Sequence, residues 1–235
     1  MIIIVKKPKI KVKNRQNTTI SSVQFRKLIP LLIICILVLD QILKFWVKTH
    51  MQLYESFEIF GLPWAKIYFI ENEGMAFGMK FGTSFGKIIL TILRLIACPA
   101  GLYFIYYMLK HPQKYDRYFV VCITLIVSGA IGNLIDSVFY GVIFSHSEGQ
   151  IATFLPPDGA HYGTLLHGMV VDMFYFPFFS INMPSWVPVI GGQPFTFFEY
   201  IFNVADSAIT IGASALLVQQ ILKKEPKPIQ SPIHG

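Results

Sequence analysis

The sequence predicts an all-α membrane protein with four transmembrane helices, a small β cradle and a long loop on the outer side. Three observations lead there. Hydrophobic residues make up 54% of the chain and charged residues only 14%, a membrane-class composition. Four segments, about residues 28–47, 86–109, 118–135 and 200–222, are apolar enough to cross a hydrocarbon core of ~30 Å, which takes roughly 20 helical residues. Lysine and arginine are concentrated in the tails and the middle link and are absent from residues 137–200.

The N-terminal stretch 1–27 is basic, carrying Lys6, Lys7, Lys9, Lys11, Lys13, Arg15, Arg26 and Lys27. The first span follows it without a small-residue cleavage site, so a retained anchor is expected rather than a removed signal peptide. The link between spans two and three carries Lys110, Lys114 and Arg117, and the tail 223–235 carries Lys223, Lys224 and Lys227. Ser137 to Tyr200 contains neither Lys nor Arg. Both termini and the middle link are therefore expected to be cytoplasmic, and the loops 48–85 and 137–199 to face outward. The net charge of +7 reads as a topology signal and as contact with anionic lipid, not as a nucleic-acid footprint.

Cys35, Cys98 and Cys122 all fall within spans and read as packing residues, with no disulfide framework. In the first outer loop, Ala65–Ile70 alternates apolar and polar residues, which predicts short strands on the membrane surface. The second outer loop is rich in Pro, Gly and aromatics, a composition suited to the headgroup interface. It is long enough to be functional, and its aromatics suggest a membrane-lying lid.

Ionisable groups near the membrane stand out against this background. Asn203 and Asp206, at the mouth of span four, are three apart and share a helix face. Asn133 and Asp136 repeat that spacing at the outer end of span three. Asp40 and Lys44 have ion-pair spacing on span one. Asp172 lies in Val170-Val171-Asp172, and Asn72 in a polar turn. On these residues alone, Asp206 reads equally as a helix cap or first-turn charge, Asp172 as an ordinary loop acid, and Asn133 and Asn203 as interhelical glue. A proton-relaying transporter or a scaffold protein stays open alongside an enzyme.

The order of these segments resembles the lipoprotein signal peptidase (signal peptidase II) family over about Leu28–Leu222. The resemblance rests on Asp-Gln-x-x-Lys (Asp40, Lys44), Asn-x-Gly-x-Ala-Phe (Asn72, Gly74, Ala76, Phe77), Gly-Asn-x-x-Asp (Gly132, Asn133, Asp136), Val-Val-Asp (Asp172) and Phe-Asn-x-Ala-Asp (Phe202, Asn203, Ala205, Asp206). It implies an aspartic endopeptidase of the bacterial cytoplasmic (inner) membrane, with its site at the outer, periplasmic face. That enzyme removes the signal peptide from prolipoproteins just before a diacylglyceryl-modified cysteine. Asp172 and Asp206 match the catalytic pair, with no metal or cofactor. Asn72, Gly74, Asn133, Asp136, Asn203, Ala205, Asp40 and Lys44 are the implied supporting residues, with Asp40 and Lys44 locking span one locally. The expected partners are the modified prolipoproteins and membrane lipids, and the expected state is a monomer.

The chain departs from the family pattern twice. Ser137 stands where an arginine usually follows Gly-Asn-x-x-Asp, and an insertion with His146, Pro156, Pro157, His161 and His167 separates Asp136 from Asp172. Arg94 lies roughly 12 Å along span two at ~1.5 Å per residue, and is expected to reach the outer site in place of the missing arginine. Two close carboxylates share one proton near neutrality, which suits general acid–base hydrolysis. His161, His167 and Asp172 lack the spacing of a zinc helix, and Ser207 lacks a base at a fixed local spacing.

Overall fold

The computed structural model describes residues 21–72 and 84–222. Gly74, Ala76 and Phe77 lie outside them, as do the basic N-terminal residues up to Arg15 and the lysines of the tail. Helix α1 spans Ser22–His50, six residues earlier than the predicted span and inside the stretch expected to be tail. The cause is a capping box: Ser21 Oγ accepts from Gln24 N, and Gln24 Oε1 accepts from Ser21 N, satisfying two backbone donors at the helix start. Strand β1 (Ser56–Glu58), a 3-10 turn (Ile59–Gly61) and β2 (Lys66–Asn72) follow.

Helix α2 runs Ser84–Lys110, and α3 runs Arg117–Ile135. A π-helical turn at Asp136–Tyr140 and the short α4 (Gly141–Ile143) continue the axis of α3. The remaining elements are a 3-10 turn (Pro157–Gly159), β3 (Val170–Tyr175), β4 (Phe179–Asn182), β5 (Pro194–Phe197), β6 (Ile201–Phe202) and α5 (Val204–Leu222). Span four was expected from Tyr200. Its helix starts at Val204 because Ile201 and Phe202 pair with Tyr175 and Phe174 of β3, where aromatic and β-branched residues favour a strand.

Among the described residues, four helices are long and apolar enough to cross a membrane. Helix α3 packs against α1, α2 and α5. Leu31, Ile34, Val38, Leu39 and Ile42 of α1 stay exposed on the bundle surface, as expected of a helix solvated by lipid. At one end lies an antiparallel sheet in the order β1-β2-β3-β6; β4 and β5 form a separate hairpin. The predicted strand over Ala65–Ile70 is β2, which pairs with β3 so that Ile70 faces Asp172 across the ladder.

The insertion is not a detached lid. Phe144 and Ala152 join Val47, Met51, Phe69, Tyr140, Val171 and Met173 in a buried cluster between α1 and the sheet. Gly168 lies against the π turn, donating from N to Ser137 O at 2.9 Å; a Cβ there would meet Asp136 O at 1.9 Å. The insertion thus wedges β3 onto the end of α3. Cys35, Cys98 and Cys122 lie in the first three helices with free thiols.

Candidate active site

Asp172 and Asp206 arrive from different bodies, one on strand β3 and one in the first turn of α5. The last residue before that helix connects them. Asn203 donates from Nδ2 to Asp172 Oδ1 at 2.6 Å, while its Oδ1 accepts from Asp206 N at 2.8 Å. This second bond is an N-cap contact to the third residue of the helix. Asn203 is therefore the cap, and the capping role that spacing allowed for Asp206 falls to its neighbour.

Asp172 is 1% exposed, not an ordinary loop acid. Its Oδ2 accepts from Asn72 Nδ2 at 3.2 Å. Burial pushes its carboxyl from the ordinary range up to about 7, and the charge of Asp206 adds to the rise; the bonds from Asn72 and Asn203 and the charge of Lys44 oppose it. Desolvation favours the neutral acid, so Asp172 holds its proton at a pH where most carboxyls have lost theirs.

Asp206 Oδ1 accepts from Asn133 Nδ2 at 2.7 Å. Asn133 Oδ1 in turn accepts from Lys44 Nζ at 2.9 Å and from Asn203 Nδ2 at 3.2 Å. Each amide thus touches one carboxylate and one neighbouring amide. This fixes which end of each side chain is donor.

Behind the amides lies a buried ion cluster. Lys44 Nζ is 2.8 Å from both Asp40 Oδ2 and Asp136 Oδ2, so with Asn133 all three ammonium protons have a partner. Asp40 and Lys44 form the local pair expected on span one, and Lys44 in addition ties α1 to the end of α3. Asp40 Oδ1 accepts from Ala205 N at 2.9 Å, which satisfies a first-turn donor of α5. Asp136 accepts from Val171 N at 3.3 Å and from Gln41 Nε2 at 2.8 Å, reaching the residue beside Asp172. Ala205 is fully buried.

Arg94 extends from α2 to the same region. Its Nη1 donates to Ser137 Oγ at 3.3 Å, and the charges of Asp206, Asp136 and Asp172 all act on its guanidinium. The arginine absent at position 137 is thus faced by one from another helix, and Ser137 receives it.

Residue spacing gave no role to several participants. Gln41 bonds Asp40, Asp136 and Gly132 O, although it stood inside a motif singled out for its charges. Lys48 pairs with Glu71 and donates to Ser147 Oγ at 2.9 Å. Asp40, Lys44 and Lys48 recur at four-residue steps, and that one-face periodicity was the available signal. His167, weighed as a metal ligand, is half-buried and its Nδ1 contacts Thr164 Oγ1 at 2.8 Å.

The chain is similar to known proteins. The family model described as signal peptidase (SPase) II matches residues 32–222. The chain is 47% identical over 192 residues to a lipoprotein signal peptidase of Porphyromonas gingivalis, covering 82% of each. It is 36% identical over 194 residues to one of Amoebophilus asiaticus, covering 82% of this chain and 77% of that one. A solved bacterial membrane enzyme, obtained by the in meso method, superposes with a TM-score of 0.53 at 24% identity, over 87% of this chain and 95% of its own. A second such structure gives 0.53 at 25% identity, over 85% and 95%. A buried carboxylate and amide network at the end of four apolar helices, with a family match across nearly all of that bundle, makes this chain a multi-pass bacterial membrane protease belonging to the signal peptidase II family.

Proposed function

We propose that Asp172 and Asp206 act as an aspartic pair that hydrolyses the peptide bond just before a diacylglyceryl-modified cysteine. The coarser activity, cleavage of lipoprotein signal peptides, follows from family membership. The observation that carries the finer reading is Asn203, whose amide contacts Asp172 with one end and the Asp206 backbone with the other.

Asp172, neutral up to about pH 7, serves as the acid. Asp206 in its ionised form serves as the base. It takes a proton from water as the water oxygen attacks the carbonyl carbon, while Asp172 gives its proton to the carbonyl oxygen. Collapse of the tetrahedral adduct returns a proton to Asp172 and passes the one on Asp206 to the departing amine nitrogen. The acids are recharged by the same turnover, so no metal or cofactor is called for.

Asn133, Asn203 and Asn72 hold the two carboxyls in orientation. Asp40, Lys44, Asp136 and Ala205 fix the helix end and strand that carry them, and Gly74 follows Asn72 by two residues in the sequence. Arg94 faces the substrate beside the pair. Loss of cleavage of a lipid-modified precursor peptide in both Asp172→Asn and Asp206→Asn, with folding intact, is the expected result. Retained turnover in either variant rules the pair out.

The proposed orientation has both termini in the cytoplasm and the acids at the outer face of the inner membrane, in a monomer contacting membrane lipids. Basic residues at the far end of the bundle support it. Arg117 lies 5.3 Å from the Phe25 ring, and Gln219 near the end of α5 donates to Asp116 Oδ2 at 3.0 Å. The starts of α1 and α3 and the end of α5 therefore meet where Arg26, Lys27 and Lys114 cluster in the sequence.

A further inference from the structure

Two turns at the sheet end carry large apolar side chains that the other described residues leave uncovered. Phe60, in the 3-10 turn between β1 and β2, is 95% exposed; at the tip of the β4–β5 hairpin, Trp186 and Val189 are 80% and 96% exposed. Phe60 and Val189 both have positive φ, 53° and 72°. A bulky or β-branched side chain is disfavoured there, whereas Gly or Asn would fit without strain. Each turn thus presents an apolar group where local backbone preference asks for a polar or absent one.

The hairpin tip is ordered. Gly192 N donates to Met183 O at 2.9 Å, Met183 N to Gln193 O at 3.0 Å, and Gly191 N to Val187 O at 3.0 Å. Ring contacts join the chain segments that flank the two turns. Trp64, four residues after Phe60, lies 5.6 Å from Phe178 at an interplanar angle of 24°. Phe178 lies 5.9 Å from Phe198, which in turn lies 5.8 Å from Phe202, the neighbour of Asn203.

The chemistry of the matching surface follows from charge. Residues 173–198 contain no Asp, Glu, Lys or Arg. Glu58, at the edge of the other turn, is paired with Lys66 at 3.8 Å. A surface of this length without charge has nothing to offer an anionic headgroup or an acidic protein. Aromatic and branched aliphatic groups suit the headgroup–acyl boundary of a bilayer. The hairpin is also continuous with that boundary, because β6 leads within two residues into the apolar helix α5.

We infer that the Phe60 turn and the Trp186–Val189 tip insert together into the interfacial layer of the bilayer that the four helices cross, held by uncharged contacts with lipid. Replacing Trp46 and Trp64 by Phe leaves Trp186 as the sole tryptophan. In phosphatidylcholine vesicles with brominated acyl chains, its emission is expected to fall by roughly half or more relative to unbrominated vesicles, as for an indole ~5–10 Å into the boundary. Val189→Asn keeps the left-handed turn while making it polar, and is expected to weaken the quenching without unfolding the protein. Emission insensitive to bromination overturns the inference, as does quenching that requires anionic lipid or vanishes at high salt. Protection of Trp186 that grows with protein density in the vesicle would assign the tip to a second copy, and also overturns it.

Discussion

Arg94 of α2 donates from Nη1 to Ser137 Oγ at 3.3 Å, and Ser137 Oγ donates on to Asn133 O at 2.9 Å. A cation is thus held beside the carboxyl pair by a residue too short to be one. Arg94→Ala is expected to lower kcat/KM on a lipid-modified precursor roughly ten- to a hundredfold. Arg94→Lys should recover part of that loss. Steady-state cleavage of the three proteins checks this, and unchanged kcat/KM in Arg94→Ala removes Arg94 from the site.

The buried carboxyl of Asp172 gives a pH dependence of definite sign. Its folded value of about 7 lies above the ~3.9 of an unfolded aspartate, so the folded state binds the proton more tightly. Its contribution is present in full below pH ~4 and is lost as pH rises to about 7, up to ~4 kcal/mol in all. Asp172→Asn should therefore unfold at a higher temperature than the parent at pH 8 and near the same temperature at pH 4. Thermal unfolding in detergent measures the difference. Cleavage by the parent enzyme should decline above about pH 7 as the acid is lost.

Lys44 is enclosed with two carboxylates, and removing it leaves Asp40 and Asp136 buried without a counter-charge. Lys44→Ala is expected to cost about 3–5 kcal/mol. The yield of folded protein and its unfolding midpoint read this out. Lys44→Met combined with Asp40→Asn and Asp136→Asn should recover stability without recovering cleavage.

Gly168 has no room for a side chain, since a Cβ would meet Asp136 O at 1.9 Å. Gly168→Ala is expected to destabilise by about 1–3 kcal/mol. Because Asp136 also holds Val171 N, the same change should displace β3 and reduce kcat. A stable, fully active Gly168→Ala protein would separate the insertion from the placement of Asp172.

Four spans and the residues of the site were legible because lipid and burial each leave a direct mark on sequence. Apolar length announces a span, and an acid inside apolar surroundings announces a partner. Asp40 and Lys44 announced an ion pair by spacing, yet the third member, Asp136, comes from a contact between helices that no local period records. The start of α5 was misplaced for a related reason: Ile201 and Phe202 are apolar enough for a span, and only their pairing with β3 makes them a strand. The opposite error occurred at α1, where polar residues around Ser21 concealed a capping box. Gln41 was hidden because an uncharged amide in a helix gives no sign of how many partners it will meet.

Helices α3 and α5 touch through their backbones: a Cβ at Gly129 would lie 2.2 Å from Ala205 O, and one at Gly212 would lie 2.7 Å from Cys122 O. No third helix fits through that seam at either depth. On the proposed mechanism, a signal peptide drifting in the plane of the bilayer would be turned away on the α3 side and would reach Asp206 from the flanks of α5 that α3 leaves uncovered. The enzyme has a back and a front, and two glycines mark which is which.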